Sequence, residues 1–229
     1  MNQIINLTKQ NFTTGRSGHL VEYLVFHYTA NVGDTAESNA NYFKSIYRGA
    51  SAHYFVDESK IVQAVKDSDT AWHCGDYQRF AHGGATQKNI VRNQNSIGIE
   101  MCSNKENGKF VITEQTQKNA IELGKALMKK YNIPITRVFR HFDVSGKLCP
   151  LPFVDNPTLW KEFKERLSEE EVETTIINAT MNGKPVKLTS IVYNDENYIR
   201  IRDLSNAQND DKLTVSWDNK TKTVVITSK

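Results

Sequence analysis

Leu20-Val21-Glu22-Tyr23-Leu24-Val25-Phe26-His27-Tyr28-Thr29 is the stretch that decides the fold. Leu24, Val25 and Phe26 form a short apolar run among β-formers, which predicts a buried strand. The run ends on His27, and Asn31-Val32-Gly33-Asp34 breaks it. A histidine at the carboxyl end of a central strand serves either a site at the sheet edge or the core, bonded to a backbone carbonyl.

Outward from this strand, helices and strands alternate. Thr35 to Tyr47 predicts a helix capped by Asp34 or Thr35, with Ala36, Ala40, Phe43 and Tyr47 on one face. Ala52 to Asp57 predicts a strand, and a turn at residues 57–60 joins it to Ile61–Val65 as a hairpin. Asp69-Thr70-Ala71-Trp72-His73-Cys74-Gly75-Asp76 is loop-like, and residues 78–95 form a polar excursion. Ser96-Ile97-Gly98-Ile99-Glu100-Met101-Cys102 alternates, with Ile97, Ile99 and Met101 on one face and Gly98, Glu100 and Cys102 on the other. A carboxylate within an apolar strand is costly unless paired or used. Asn107-Gly108 marks a turn. Thr113 to Tyr131 predicts a helix capped by Thr113, with Lys129 and Lys130 complementing its dipole and Pro134 ending it. Arg137–Arg140 predicts a strand, and Pro157–Leu167 a helix with Leu159, Trp160, Phe163 and Leu167 as its apolar face.

This pattern is α/β: a central mixed β-sheet flanked by helices. Ser168-Glu169-Glu170-Glu171-Val172-Glu173 is acidic and aperiodic, and reads as a linker or a solvated helix end. The expected organisation is a domain over 1–168 carrying the chemistry, a linker over 169–174 and a small β-rich (α+β) domain over 175–229. The last domain predicts three hairpins: 175–180 with 186–188 through Asn182-Gly183, 191–193 with 198–201, and 213–217 with 223–227. Arg202 to Ala207 adds one or two helical turns. It has no histidine, no cysteine and no acid/base cluster, and so reads as a binding or assembly module.

Composition limits the function classes. The 229 residues are 38% hydrophobic and 24% charged, a balance that supports a packed core. The net charge of +3 gives no reason to invoke nucleic acid and suits an anionic polymer as substrate. Met1 to Asn11 holds no apolar run of signal-peptide length, and no stretch reaches membrane-spanning length. The expectation is a protein made in the cytoplasm, not inserted in a membrane, that meets an external target only after release. Three cysteines, Cys74, Cys102 and Cys149, in a reducing compartment argue against a disulfide framework.

The chemistry concentrates in His141-Phe142-Asp143-Val144-Ser145-Gly146-Lys147-Leu148-Cys149-Pro150. Gly146 and Pro150 argue against a continuous helix, and a turn-rich loop lets His141 and Cys149 converge. Imidazole plus thiolate is zinc-type chemistry. His27, His141 and Cys149 are the candidate metal set, each at or just beyond a strand end, and three protein ligands leave a fourth position for water. Cys149 as a buried structural thiol is the alternative. Glu100 is the candidate general base; otherwise it is a strand glutamate paired with a cation. Lys147 either places charge near a developing oxyanion or is a solvated loop lysine. His53 could donate to the same oxyanion, and Trp72 and His73 could wall a cleft for sugar or peptide, although Trp72 serves equally as core. His19 and His82 read as surface residues.

Five pieces carry a resemblance: Val25-Phe26-His27-Tyr28-Thr29, Ser51-Ala52-His53-Tyr54-Phe55-Val56, Ala71-Trp72-His73-Cys74-Gly75, Asn95-Ser96-Ile97-Gly98-Ile99-Glu100 and His141 through Pro150. In this order, over residues 18 to 155, the chain resembles the zinc-dependent N-acetylmuramoyl-L-alanine amidases of the type-2 amidase and peptidoglycan-recognition fold, specifically phage or prophage endolysins. The resemblance implies zinc ligands at His27, His141 and Cys149, where the family uses cysteine or aspartate last. It implies catalytic roles for Glu100 and Lys147, and for His53, where some members carry tyrosine. The implied activity is hydrolysis of the amide between N-acetylmuramic acid and the L-alanine of the stem peptide in bacterial peptidoglycan. The alternative is a non-catalytic peptidoglycan-recognition protein, but such members lose a ligand and this chain keeps all three. The C-terminal domain loosely resembles the N-terminal-like domain of copper amine oxidases, through Met181–Val186, Tyr198–Leu204 and Val215–Val224. No copper site follows from that similarity, and it implies wall attachment or homo-oligomerisation.

Overall fold

Local sequence sets most element boundaries in the computed structural model, which describes residues 2–76, 82–169, 174–181, 184–193, 196–199, 213–218 and 223–228. The chain separates into two units, Met1–Glu169 and Glu170–Lys229. The first begins β1 (Asn2–Ile5), β2 (Phe12–Thr13), β3 (Tyr23–Tyr28), α1 (Ala36–Lys44), β4 (Tyr54–Val56), β5 (Lys60–Gln63) and β6 (Thr70–Ala71). It continues with β7 (Ser96–Met101), β8 (Asn104–Glu106), β9 (Lys109–Val111), α2 (Glu114–Tyr131), β10 (Val138–Arg140), α3 (His141–Ser145), α4 (Leu151–Asp155) and α5 (Pro157–Ser168).

The main sheet has the order β1-β5-β4-β7-β3-β10. Only β4 and β5, the expected hairpin, pair antiparallel; the other pairs are parallel. The sheet is therefore mixed and helix-flanked, as the sequence predicts. Leu24, Val25 and Phe26 are fully buried because β3 lies between β7 and β10 and is covered on both faces. Leu24 and Phe26 join Ile97, Ile99 and Met101 in the main core under α2 and α5. Phe26 meets Phe163 edge-on at 5.0 Å. Each such large side chain contributes about 1.5–3 kcal/mol by burial. At Gly124 a Cβ would stand 2.7 Å from Leu167 Cδ2, so glycine lets α2 approach α5. Val25 points to the opposite face, with Cys74, Val91 and Val144. Alternation places His27 on that second face.

Thr113 caps α2 as expected. The helix ends at Asn132, in left-handed conformation (φ 53°, ψ 45°), before Pro134 is reached. Helix α1 is capped by Thr35, whose side chain accepts from the Ser38 N–H, but it stops at Lys44. Tyr47 is therefore 66% exposed and not on the helical face. Leu159 on α5 is 37% exposed and lies at the rim of its face. The sequence gives no sign of β1, a short edge strand, or of α4. His141 opens the short helix α3 rather than a loop.

Asp67 ties three of these elements together. Its Oδ1 accepts from the Tyr54 hydroxyl at 2.6 Å and Gln63 Nε2 at 3.1 Å. Its Oδ2 accepts from Lys130 at 2.9 Å and the Tyr131 hydroxyl at 2.8 Å. Burial opposes ionisation, but the bonds from Lys130, Tyr54 and Tyr131 outweigh it and hold the carboxyl below its usual value. A lowered carboxyl stabilises the fold above its unfolded pKa of about 3.9, and the contribution disappears as pH falls through the folded value. Asp67→Ala should lose about 2–3 kcal/mol at pH 7 by orphaning buried donors. Urea unfolding at pH 7, repeated at acid pH, should show the difference from the parent shrinking below pH 4 or so.

In the second unit β11 (Thr174–Met181), β12 (Lys184–Tyr193) and β13 (Glu196–Ile199) form an antiparallel sheet, and β14 (Leu213–Asp218) pairs antiparallel with β15 (Thr223–Ser228). The two expected hairpins before residue 200 share the single long strand β12. The expected turn at Asn182-Gly183, the helical turns at 202–207 and residues 170–173 of the expected linker lie outside the described residues. No helix among the described residues is long and apolar enough to cross a membrane.

Candidate metal centre and active site

Three parallel strands build the site. In the register of β3 with β7, His27 stands opposite Glu100. Strand β10 pairs on the other side, Arg140 opposite Phe26, so the next residue, His141, emerges beside His27. Asp143 turns the chain there: its carboxylate accepts from the Arg140 N–H at 2.8 Å and from the Arg140 guanidinium. Gly146 ends α3 in left-handed conformation (φ 78°). The Phe142 N–H then donates to the Cys149 carbonyl at 2.8 Å, which folds Cys149 back to His141.

His27, His141 and Cys149 are all buried, and their ligating atoms lie within 4.8 Å of one another. Cys149 Sγ is 3.8 Å from His27 Nδ1. His141 Nε2 bonds Asp76 Oδ1 at 2.7 Å, while its Nδ1 is buried without a partner among the described residues. Glu100 Oε1 lies 4.0 Å from His27 Nδ1, and its Oε2 is likewise buried without a partner among the described residues. Two orphaned polar atoms beside two imidazoles and a thiol leave a polar centre incomplete without a ligand. Nitrogen and sulfur donors of this kind suit a borderline-soft metal ion.

The electrostatics agree. Burial lowers the pKa of His27, reinforced by His141 and His73, and burial lowers His141 against the opposing pull of Asp76. Both therefore offer neutral rings. Burial pushes Cys149 up, and Glu100 adds to it. Burial pushes Glu100 up to about 8, partly offset by Lys147. A cation among these groups reverses the last two effects, because it favours thiolate and carboxylate.

The site opens into a cleft of about 460 Å³ lined by Glu100, Lys147, Asp76, Trp72 and Ser51, among others. Lys147 is 45% exposed at the mouth, its Nζ 3.9 Å from Asp76 Oδ2. Trp72 is half-buried, with its indole N–H donating to Thr13 Oγ1 at 2.9 Å and its ring 6.0 Å from Tyr47. His73 lies behind His27, Nδ1 to Nε2 at 3.0 Å, so it is a partner of that ring as much as a wall. Gly98 makes room for it: a Cβ there would come 2.5 Å from His73 Cγ. His53 does not line the cleft. It is fully buried; the Gly98 N–H donates to its Nδ1 at 3.0 Å, and Nε2 lies between the Arg16 guanidinium at 2.9 Å and the Asp69 carbonyl at 3.2 Å. The structure therefore places His53 in the interior, apart from the cleft lining where an oxyanion donor is expected. His19 and His82 are exposed, as expected. Asp76 and Ser96 escaped sequence reasoning. Asp76 lay in a loop already marked by Trp72 and His73, but nothing in its spacing tied it to His141.

A mixed, helix-flanked sheet with His27, His141 and Cys149 gathered at one edge has a known counterpart. Residues 17–152 match the family described as N-acetylmuramoyl-L-alanine amidase, and the chain belongs to that family. It is 33% identical over 177 residues to the N-acetylmuramoyl-L-alanine amidase BlyA of Bacillus subtilis (strain 168), covering 74% of this chain and 44% of that protein. It is 32% identical over 184 residues to CwlH of the same organism, covering 79% and 67%. The chain thus spans about half the length of most of the curated relatives it matches. Among solved structures, the catalytic domain of XlyA superposes with a TM-score of 0.57 at 31% identity, over 73% of this chain and 100% of that one. PlyL does so with a TM-score of 0.60 at 26% identity, over 75% and 100%.

Proposed function

We propose that this chain is a zinc-dependent N-acetylmuramoyl-L-alanine amidase of the endolysin type, cleaving the amide between N-acetylmuramic acid and the L-alanine of the peptidoglycan stem peptide. The observation that carries this reading is the convergence of ligating atoms of His27, His141 and Cys149, within 4.8 Å of one another, beside the carboxyl of Glu100. Tetrahedral zinc, with bonds of about 2.0–2.1 Å to nitrogen and 2.3 Å to sulfur, separates such donors by about 3.6 Å. The His27–Cys149 separation of 3.8 Å fits. When bound, zinc supplies the Lewis acidity that makes water a nucleophile near neutral pH.

The side chains do the rest in this reading. Glu100 takes the proton of the attacking water and delivers it to the leaving amine. Lys147, at the cleft mouth, holds positive charge toward the oxyanion that forms on the scissile carbonyl. Asp76 accepts from His141 Nε2–H and keeps the Nδ1 lone pair turned inward. Trp72 gives the cleft an aromatic wall suited to a sugar or peptide face. The module over 175–229 supplies wall attachment or self-association, and the enzyme, made in the host cytoplasm, acts on the cell wall after release.

Purified peptidoglycan tests the whole reading. Digestion should release new L-alanine amino termini detected by mass spectrometry, stop when a chelator removes metal, and resume with added zinc. Binding to walls with no new termini would make the chain a recognition protein instead.

A further inference from the structure

Behind His27 runs a chain of hydrogen bonds to which nothing so far assigns a purpose. His27 Nε2 lies 3.0 Å from His73 Nδ1, His73 Nε2 lies 3.1 Å from Ser96 Oγ, and the Ser96 hydroxyl donates to the Arg92 carbonyl at 2.5 Å. All three side chains are buried. The polarity of the chain follows from its far end. A carbonyl only accepts, so the Ser96 proton belongs to that bond. The Cys74 thiol, 3.8 Å away, donates instead to Asn93 Oδ1. Ser96 Oγ must then accept from His73 Nε2–H. Among the described residues the His73 ring sits with His27, His53 and Ser96 and bonds no carboxylate, a buried setting that favours the neutral ring with a single proton. Its Nδ1 accepts, and His27 Nε2 is left to donate.

We propose that Ser96 and His73 form a positioning relay that fixes the proton of His27 on Nε2, so that the Nδ1 lone pair faces Cys149 and Glu100 before any metal arrives. The inference rests on the reading of His27 as a metal ligand. His141 reaches the same tautomer by another route, through the carboxylate of Asp76. The two rings are thus presented alike, one backed by an anion and one by a neutral chain ending on main chain. Without the Ser96 hydroxyl, His73 gains no advantage from a proton on Nε2. It can hold that proton on Nδ1 and donate to His27, which moves the His27 proton onto the ligating nitrogen.

The test uses the full-length chain with ¹⁵N-labelled histidine, free of metal. Long-range ¹H–¹⁵N spectra should show His27 as the Nε2–H tautomer; an Nδ1–H or doubly protonated His27 overturns the relay without any variant. Zinc affinity by competition with a chromogenic chelator should fall about 10–100-fold in Ser96→Ala, the range for loss of an outer partner of a metal ligand. Ser96→Thr, which keeps the hydroxyl, should restore it. Wild-type affinity in Ser96→Ala also overturns the relay. A parent protein that binds no zinc would instead reject the metal reading, and the tautomer measurement would still decide the relay.

Discussion

Glu100→Gln should lower kcat on peptidoglycan by about 10²–10⁴-fold, the range for loss of a general acid–base group, with zinc content unchanged. Glu100 is not one of the three converging donors, and its Oε2 is buried with no partner among the described residues. A carboxylate left so is costly in a fold and useful in a site. Glutamine keeps the size and fills the same space but cannot carry a proton between water and amine. Stability should therefore change little, or rise, since the buried carboxyl is no longer strained toward ionisation. Steady-state release of amino termini, metal analysis and thermal unfolding on one preparation separate the effects. Near-wild-type kcat would remove Glu100 from the chemistry, and loss of zinc would make it a ligand.

Cys149→Ala should abolish both stoichiometric zinc and activity, whereas Cys149→Asp should retain part of each. Alanine removes one of three donors and leaves His27 and His141, which do not hold a catalytic zinc. Outer partners of metal ligands are worth about 10–100-fold in affinity, and a direct ligand is worth more. Aspartate offers an oxygen about 2.0–2.2 Å from zinc in place of sulfur at about 2.3 Å. The loop should survive either change, because its closure depends on the Cys149 carbonyl, bonded to the Phe142 N–H, and not on the thiol. Metal analysis after dialysis checks the binding, and wall digestion checks the chemistry. Tightly bound zinc in Cys149→Ala would show that the thiol is not a ligand.

These expectations rest on features of unequal legibility in the sequence. Buried runs and alternation are local, and so β3, the β4–β5 hairpin and the Ile97–Ile99–Met101 face could be read directly. The caps at Thr35 and Thr113 are local as well. Helical spacing runs on to Tyr47, but α1 ends at Lys44 and Tyr47 turns out of the helix to meet Trp72. Strands β1, β2 and β6 are too short to show a period and exist because partners far along the chain accept them. The site divides in the same way. His27, His141 and Cys149 are chemically conspicuous and stood out. The surroundings of Asp76, Ser96 and His53 are set by hydrogen bonds across the fold, and their residue types are too common in loops and strand ends to stand out alone. Burial of His53 against Gly98, Asp69 and Arg16 depends on segments far apart in the chain, which local sequence does not show.

The strand order has a consequence in time. His27 and Cys149 are 122 positions apart in the chain, and His141 reaches His27 only when β10 docks on β3. At about 5–20 residues per second of synthesis, roughly 6–24 s separate the first of these donors from the last. Within that interval Glu100 and then His141 are added, and the donor set stays incomplete until Cys149 is made. Parallel pairing of this kind also forms late, since distant segments must meet before either gains from the contact. Translation completes the donor set only near the end of the first unit, so a chain cut short before Cys149 carries no complete centre.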